Sequence, residues 1–311
     1  MDTSPPPTGD DTVVFRRSPS FHNLPAELNR FVGRETDLAH CEVLLGEGRL
    51  LTVTGPGGGG KTRFALRLAQ RALDRHPAGV WLVDLTPLSD PARVPLAVAR
   101  ALGIREHSDA SLTSALVEHL RDQRTLLVLD NCEHLIDACR AMVEELRAAC
   151  ASLSILAVSR EPLDLQGEQV YPLPPLSKPL ATEGADPTSL LRHASVALFV
   201  DRARNVSATF ELSASTAPAV KEICRATDGL PLAIELAAAR IKVLTVNEIA
   251  ARLDRLLLLL RSQSLPASRR HATLRATLEW SVDALGPAAR RAFCSLSVFA
   301  SGWDLPAAAA V

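Results

Sequence analysis

The chain has 311 residues, 47% of them hydrophobic and 22% charged, which suits a globular protein of roughly two or three domains. A net charge of −1 and a pI near 6.7 exclude a global field that would draw the chain to nucleic acid or an anionic membrane, so any such contact must be local. Six cysteines without C-x-x-C spacing, and the absence of a signal peptide, argue for reduced thiols in a cytoplasmic protein rather than a disulfide framework or metal ligands. No apolar stretch reaches the roughly 18 to 20 residues of a membrane span. The leucine run at 256–260 is flanked by Arg255 and Arg261 and reads as buried helix.

Residues 1–22 are rich in Pro, Ser, Thr and Asp and poor in apolar side chains, which predicts a disordered tail. An extended stretch and a turn at 31–34 then precede a helix carrying Leu38, Cys41, Leu44 and Leu45 at helical spacing. Val32 and Gly33 suit a hydrophobic staple and turn there, and a functional role is equally open.

Residues 50–68, LLTVTGPGGGGKTRFALRL, run from an apolar β-branched segment through a glycine loop into a helical pattern. Gly55, Gly60, Lys61 and Thr62 satisfy G-x-x-x-x-G-K-[ST], the Walker A pattern, in the strand–loop–helix context it requires. Gly55, Gly57, Gly58, Gly59 and Gly60 would let the backbone curl until its N–H groups converge on a phosphate. The positive end of the helix beginning near Gly60 adds to the ammonium of Lys61, and Thr62 is placed to hold magnesium.

Apolar runs at 79–85, 124–130 and 153–159 alternate with helical patterns at 91–102, 111–122 and 133–150. That alternation predicts an α/β fold, a P-loop-type parallel sheet covered by helices on both faces. Asp130 ends LLVLD, where open α/β sheets bind ligands, and takes the Walker B position as a second magnesium-binding group. An amide, Asn131, follows it and cannot act as a general base. Glu133 and Glu161 are the nearby carboxylates, and slow hydrolysis is the expectation. Arg160, just past the 153–159 run, could fork onto a γ-phosphate; Lys61, Asp130 and Arg160 are the candidate catalytic residues.

The segments FVGRE, GPGGGGKT, LLVLDNCEH, SREPL and GLPLAIELAA occur in the order found in the NB-ARC class of STAND signalling ATPases. From about Asn23 onward the chain resembles the ATPase module of bacterial transcriptional regulators of the LuxR or SARP type. The resemblance implies ATP or ADP with Mg2+ as ligands, and an adenine bordered by Val32, Gly33 and Arg34 and covered by Pro231. Arg63, beside Thr62, joins the nucleotide-binding set. At Gly59 the family usually carries a bulkier residue, a departure expected to loosen the loop.

The implied domains are a P-loop domain at 23–178, a linker at 179–189, a helical domain at 190–262 and a partial winged-helix domain at 271–311. Prolines over 170–179 are expected to break regular structure as the linker begins. Gly229 is a credible helix stop and Pro231 a first-turn residue of the next helix. A histidine that clamps ADP in the family's winged-helix domain has no matching motif, so the chain reads as a truncated form, a gene fragment or a degenerate relative. Nucleotide is the expected partner, with self-association in the ATP state and no membrane. Alternatives are a small-molecule kinase using the same loop, and a DNA-binding module through Arg269, Arg270, Arg275, Arg290 and Arg291; the near-neutral charge speaks against DNA contact.

Overall fold

The computed structural model describes residues 21–104, 112–251 and 286–297. The expected tail at 1–20, the leucine run at 256–260, the basic stretch at 262–270 with Arg269 and Arg270, and Arg275 lie outside the described residues.

Five strands, β1 (Leu50–Thr54), β2 (Gly79–Asp84), β3 (Thr125–Asp130), β4 (Ser154–Val158) and β5 (Gln169–Pro172), form one sheet in the order β2-β3-β4-β1-β5, and every neighbouring pair is parallel. The central strands are apolar on both faces because both faces are covered. Leu50, Leu127, Leu129, Ile155 and Ala157 point into one core. It is shared with α3 (Val94–Ala101), α4 (Leu112–Leu120) and α5 (Ile136–Ala149). The alternate residues Leu51, Val53, Leu126, Val128, Leu156 and Val158 point into a second. That core is closed by α1 (Glu35–Gly48) and α2 (Lys61–Arg71).

Two expectations need correction. The proline-rich stretch at 170–179 does not begin as irregular linker: Val170, Tyr171 and Pro172 pair with Thr52, Val53 and Thr54 as the edge strand β5. A proline is tolerated there because an edge strand leaves one row of backbone groups unpaired and Pro172 is its last residue. Phe21 and His22, assigned to the tail, lie along the opposite edge, where the Val80 N–H donates to the Phe21 carbonyl at 3.0 Å and His22 bridges Val80. Asn23 continues the pairing, its amide giving to and accepting from the Leu82 backbone at 2.8 and 2.6 Å. The segment thus satisfies an edge that would otherwise be open.

Beyond the sheet, α6 (Pro187–Leu190), α7 (Ala194–Val206), α8 (Ala217–Ala226), α9 (Pro231–Ala239) and α10 (Val246–Ala251) pack around their own core, including Val196, Phe199, Val220, Ile223, Ile234 and Ala237. Leu176 belongs to this core and ties the connecting segment to it through an N–H to the Gly229 carbonyl at 2.9 Å. Gly229 has φ 69°, and a Cβ there would lie 2.2 Å from the Leu176 carbonyl, so the helix stop is also a docking point that only glycine permits. A further helix, α11 (Pro287–Leu296), carries exposed Arg290 and Arg291.

Phe64 is fully buried on α2 with its ring stacked near Tyr171 of β5, centroids 6.1 Å apart, and so holds the helix that follows the glycine loop. Phe64→Ala is expected to cost about 3–5 kcal/mol in urea unfolding through the cavity it leaves. A loss below about 1 kcal/mol would show that α2 is anchored elsewhere.

Candidate functional site

The carboxyl ends of the strands and the start of α9 enclose a cleft of about 310 Å3. The sheet side supplies Gly57, Gly58, Gly60, Lys61, Thr62, Arg63, Asp130, Asn131, Glu133, Val158 and Arg160, and the helical side Pro231, Leu232 and Glu235. Strand order explains the grouping. Since β4 lies between β1 and β3, the residue just past β4, Arg160, emerges between the glycine loop and Asp130.

Gly60 caps α2 with φ 85°, and Gly58 takes φ 76°, so the loop turns where a side chain would be strained. Gly57 and Gly59 are not in the left-handed region, which corrects the expectation that every loop glycine is needed for its dihedrals. A Cβ on Gly59 would meet the Pro56 carbonyl at 3.1 Å, tight contact rather than open space. Gly58 has a second reason to be glycine: a Cβ would lie 3.0 Å from the Leu232 side chain of α9.

Lys61 donates to the carbonyls of Gly55 and Pro56 at 2.8 and 3.1 Å, which folds its ammonium under the loop. Burial lowers its pKa, while Glu133 and Asp130 push it back up and Arg160 pushes it down, so four charged groups share one low-dielectric space. The Thr62 hydroxyl donates to both oxygens of Asp130, at 2.9 and 3.1 Å. Burial pushes the Asp130 carboxyl up to about 6, against the lowering effect of the Thr62 hydrogen bond. A hydroxyl and a buried carboxylate side by side are the hard-oxygen donor set that suits Mg2+, and the N–H groups opening α2, with Lys61, suit a phosphate chain. The residues present therefore fit a magnesium nucleotide.

Not every predicted residue lines this cleft. Val32 packs against the core of the helical unit, and a Cβ on Gly33 would lie 2.7 Å from that of Ala194 at the start of α7. The turn thus bears on the helical unit. Arg34, at φ 71°, donates from Nη2 to the Gly59 carbonyl at 3.0 Å, while its Nη1 is buried with no hydrogen-bond partner. Pro231 does reach the cleft, with its ring 3.4 Å from where a Gly60 Cβ would be, and the next residue closes the contact: Leu232 N–H donates to the Gly58 carbonyl at 3.2 Å.

Sequence reasoning missed Glu235. Its Oε1 accepts from Arg63 of α2 at 3.1 Å and from Arg202 of α7 at 2.9 Å. Both guanidiniums also reach back to the Arg30 carbonyl, each at 3.2 Å. Arg63 thus lines the cleft and also binds the helical unit. The available signal was a lone glutamate in the apolar run LPLAIELAAA, two turns from no obvious partner.

Residues 45–159 match the AAA domain family. An uncharacterized protein of Mycobacterium tuberculosis is 41% identical over 290 residues, covering 93% of this chain and 70% of that protein. A second M. tuberculosis protein, described as an HTH-type transcriptional regulator, is 41% identical over 268 residues, 86% of this chain but 29% of the regulator. The regulatory protein AfsR of Streptomyces coelicolor is 31% identical over 314 residues, again 92% of this chain and 28% of that one. Among solved structures, the Walker-type ATPase PABY2304 of Pyrococcus abyssi has the same fold at TM-score 0.50 and 13% identity, covering 74% of each chain. The protein belongs to a bacterial family built on an AAA-type P-loop ATPase domain, with transcriptional regulators among its members. It spans under a third of the length of the regulators it matches.

Since the Asp130 carboxyl titrates near 6 in the folded chain and near 3.8 when unperturbed, its ionisation opposes folding. That cost is absent below about pH 4, grows as pH rises and is complete above about pH 6, reaching about 3 kcal/mol at 1.4 kcal/mol per unit. Asp130→Asn, which keeps an acceptor for Thr62, is expected to melt higher than the parent at pH 7.5 in chelator without nucleotide, with the advantage gone near pH 4. A lower melting temperature at pH 7.5 would show that the carboxylate is a structural asset.

Proposed function

We propose that this chain is an ATP/ADP-binding switch with slow hydrolysis, serving as the ATPase module of a transcriptional regulator. The observation that carries the reading is the cleft itself, in which the loop with Lys61 and Thr62, the strand end with Asp130 and the α9 residues Pro231 and Leu232 face one another. A phosphate chain would take the α2 N-terminus and Lys61. The metal would take Thr62 and Asp130, supplying charge neutralisation between the phosphates. Pro231 is the contact from the helical side, and Val32, Gly33 and Arg34 would form the adenine border, tied to the loop by the bond from Arg34 to the Gly59 carbonyl.

ADP and ATP differ at the γ-phosphate, and Arg160 lines the cleft beside Lys61 and Asp130 where that group would reach. A ligand that touches both the sheet and α9 shifts the balance between them only through such differential contact. The helical side presents Pro231, Leu232 and Glu235, two apolar residues and a carboxylate, instead of the arginines a phosphoryl-transferring lid would bring, which favours the switch over a small-molecule kinase. Arg290 and Arg291 are exposed on α11, a solvated face that adds no support for a DNA-binding role.

Lys61→Ala is expected to weaken MgADP binding on the order of 100-fold by calorimetry, with the far-UV spectrum unchanged, from the loss of a charged phosphate contact worth up to about 3 kcal/mol. Unaltered affinity would sink the phosphate assignment. Steady-state turnover should stay well below the roughly 10 per second of a median enzyme. Arg160→Ala should erase the preference for ATP over ADP in competition titrations, and a preserved preference would remove Arg160 from the γ-phosphate assignment.

A further inference from the structure

We propose that Glu133 is the group that takes the proton of the attacking water, and that Arg160 holds this carboxylate in reserve until a γ-phosphate draws the guanidinium away. The inference rests on the reading of the cleft as an ATP site. It begins with the backbone after β3. Asn131 takes φ 67°, a left-handed position that asparagine accepts and a longer side chain resists, and its amide contacts His134 Nδ1 at 3.2 Å. The position directly after Asp130 is thereby committed to a turn. The short 3-10 helix Cys132–Leu135 that follows brings the next acidic side chain, Glu133, back into the lining of the cleft. Glu161, the other nearby carboxylate, is exposed and not among the lining residues.

Glu133 has two unlike oxygens. Its Oε1 accepts from Arg160 Nε at 3.1 Å, in a pair whose side chains are 11% and 24% exposed. Its Oε2 is buried with no hydrogen-bond partner in the protein. An orphaned carboxylate oxygen is costly, and such groups persist where chemistry needs them. Lys61 and Asp130 line the same cleft, so a carboxylate released by Arg160 and turned outward would meet the space where a terminal phosphate and its water would lie. A terminal phosphate carries about two negative charges against the carboxylate's one, and a guanidinium can fork onto it. Arg160 cannot serve both partners fully.

The step balances as follows. The water oxygen bonds to the γ-phosphorus as one of its protons passes to Glu133 Oε2. The bond between the γ-phosphorus and the bridging oxygen breaks, and its electron pair stays on ADP. Inorganic phosphate leaves and Glu133 returns the proton to solvent. While Arg160 stays on Oε1 the carboxylate is held off line, which accounts for slow turnover without requiring that a base be missing.

The test compares the full chain with Glu133→Gln and Glu133→Ala, reading ATP and ADP affinity by fluorescence titration and hydrolysis in single turnover. The proposal expects Glu133→Gln to bind both nucleotides, to cut hydrolysis at least 100-fold as loss of a general base does, and to raise the ATP-over-ADP preference several-fold because Arg160 loses its ionic partner. Formate should restore Glu133→Ala hydrolysis at least tenfold, which a purely structural glutamate would not allow. Hydrolysis by Glu133→Gln within threefold of the parent overturns Glu133 as the base, and an unchanged ATP-to-ADP ratio overturns the hold by Arg160. A parent chain that binds neither nucleotide fails the ATP reading itself, before either variant is compared.

Discussion

The structure depends on one carboxylate oxygen shared by two guanidiniums. Glu235 is fixed from within the helical unit by Arg202, whose side chain is only 9% exposed, and it reaches across to α2 through Arg63, 40% exposed and open to solvent. The two contacts are not equivalent. The buried arginine, which Asp201 also partners, would lose one of two carboxylates in a low-dielectric setting, whereas the exposed pair is screened and adds little by itself. Glu235 is therefore set in place by the helical unit and offered to the P-loop helix. The Leu232 N–H on the Gly58 carbonyl and Pro231 beside Gly60 follow from that placement.

This arrangement makes the residue after each Walker element as informative as the element itself. Thr62 turns inward to Asp130, and Arg63, the next residue, turns outward to Glu235. One turn of helix thus carries the hydroxyl that donates to Asp130 and an ion pair to the helical unit. Asp130 lies in the cleft, while the left-handed Asn131 beyond it redirects the chain so that Glu133 enters the cleft and pairs with Arg160. A ligand contacting Lys61, Thr62 and Asp130 would act within the few residues that also join the two units, and typical coupling of 1–3 kcal/mol is enough to bias such a contact.

Much of this was legible in the chain. The apolar runs predicted β1 to β4 because strands buried on both faces must be apolar throughout, and the G-x-x-x-x-G-K-T spacing located Gly60, Lys61 and Thr62 at the start of a helix. Asp130 and Arg160, which line the cleft, stood out by their places at the end of one strand and just past another. What stayed hidden depended on partners remote in sequence. β5 was masked by its prolines, since edge position, which excuses them, is a property of the sheet. Glu235 and Arg202, 33 positions apart, each look like an ordinary polar residue of a helix until the chain between them folds back. The second reason for glycine at 58, the approach of Leu232, belongs to the packing of two units and has no local signature. Conversely, local reasoning overstated Gly57 and Gly59, whose dihedrals other residues could adopt.

The account's central claim is that bound nucleotide governs how α9 sits on the glycine loop, and hydrogen exchange reads this without labels or substitutions. The amides opening α9, Leu232 above all, should exchange more slowly with saturating MgADP than with a non-hydrolysable ATP analogue, while those of β1 and β3 are protected equally by both. Equal protection of α9 under the two nucleotides, with both shown to be bound, would contradict it.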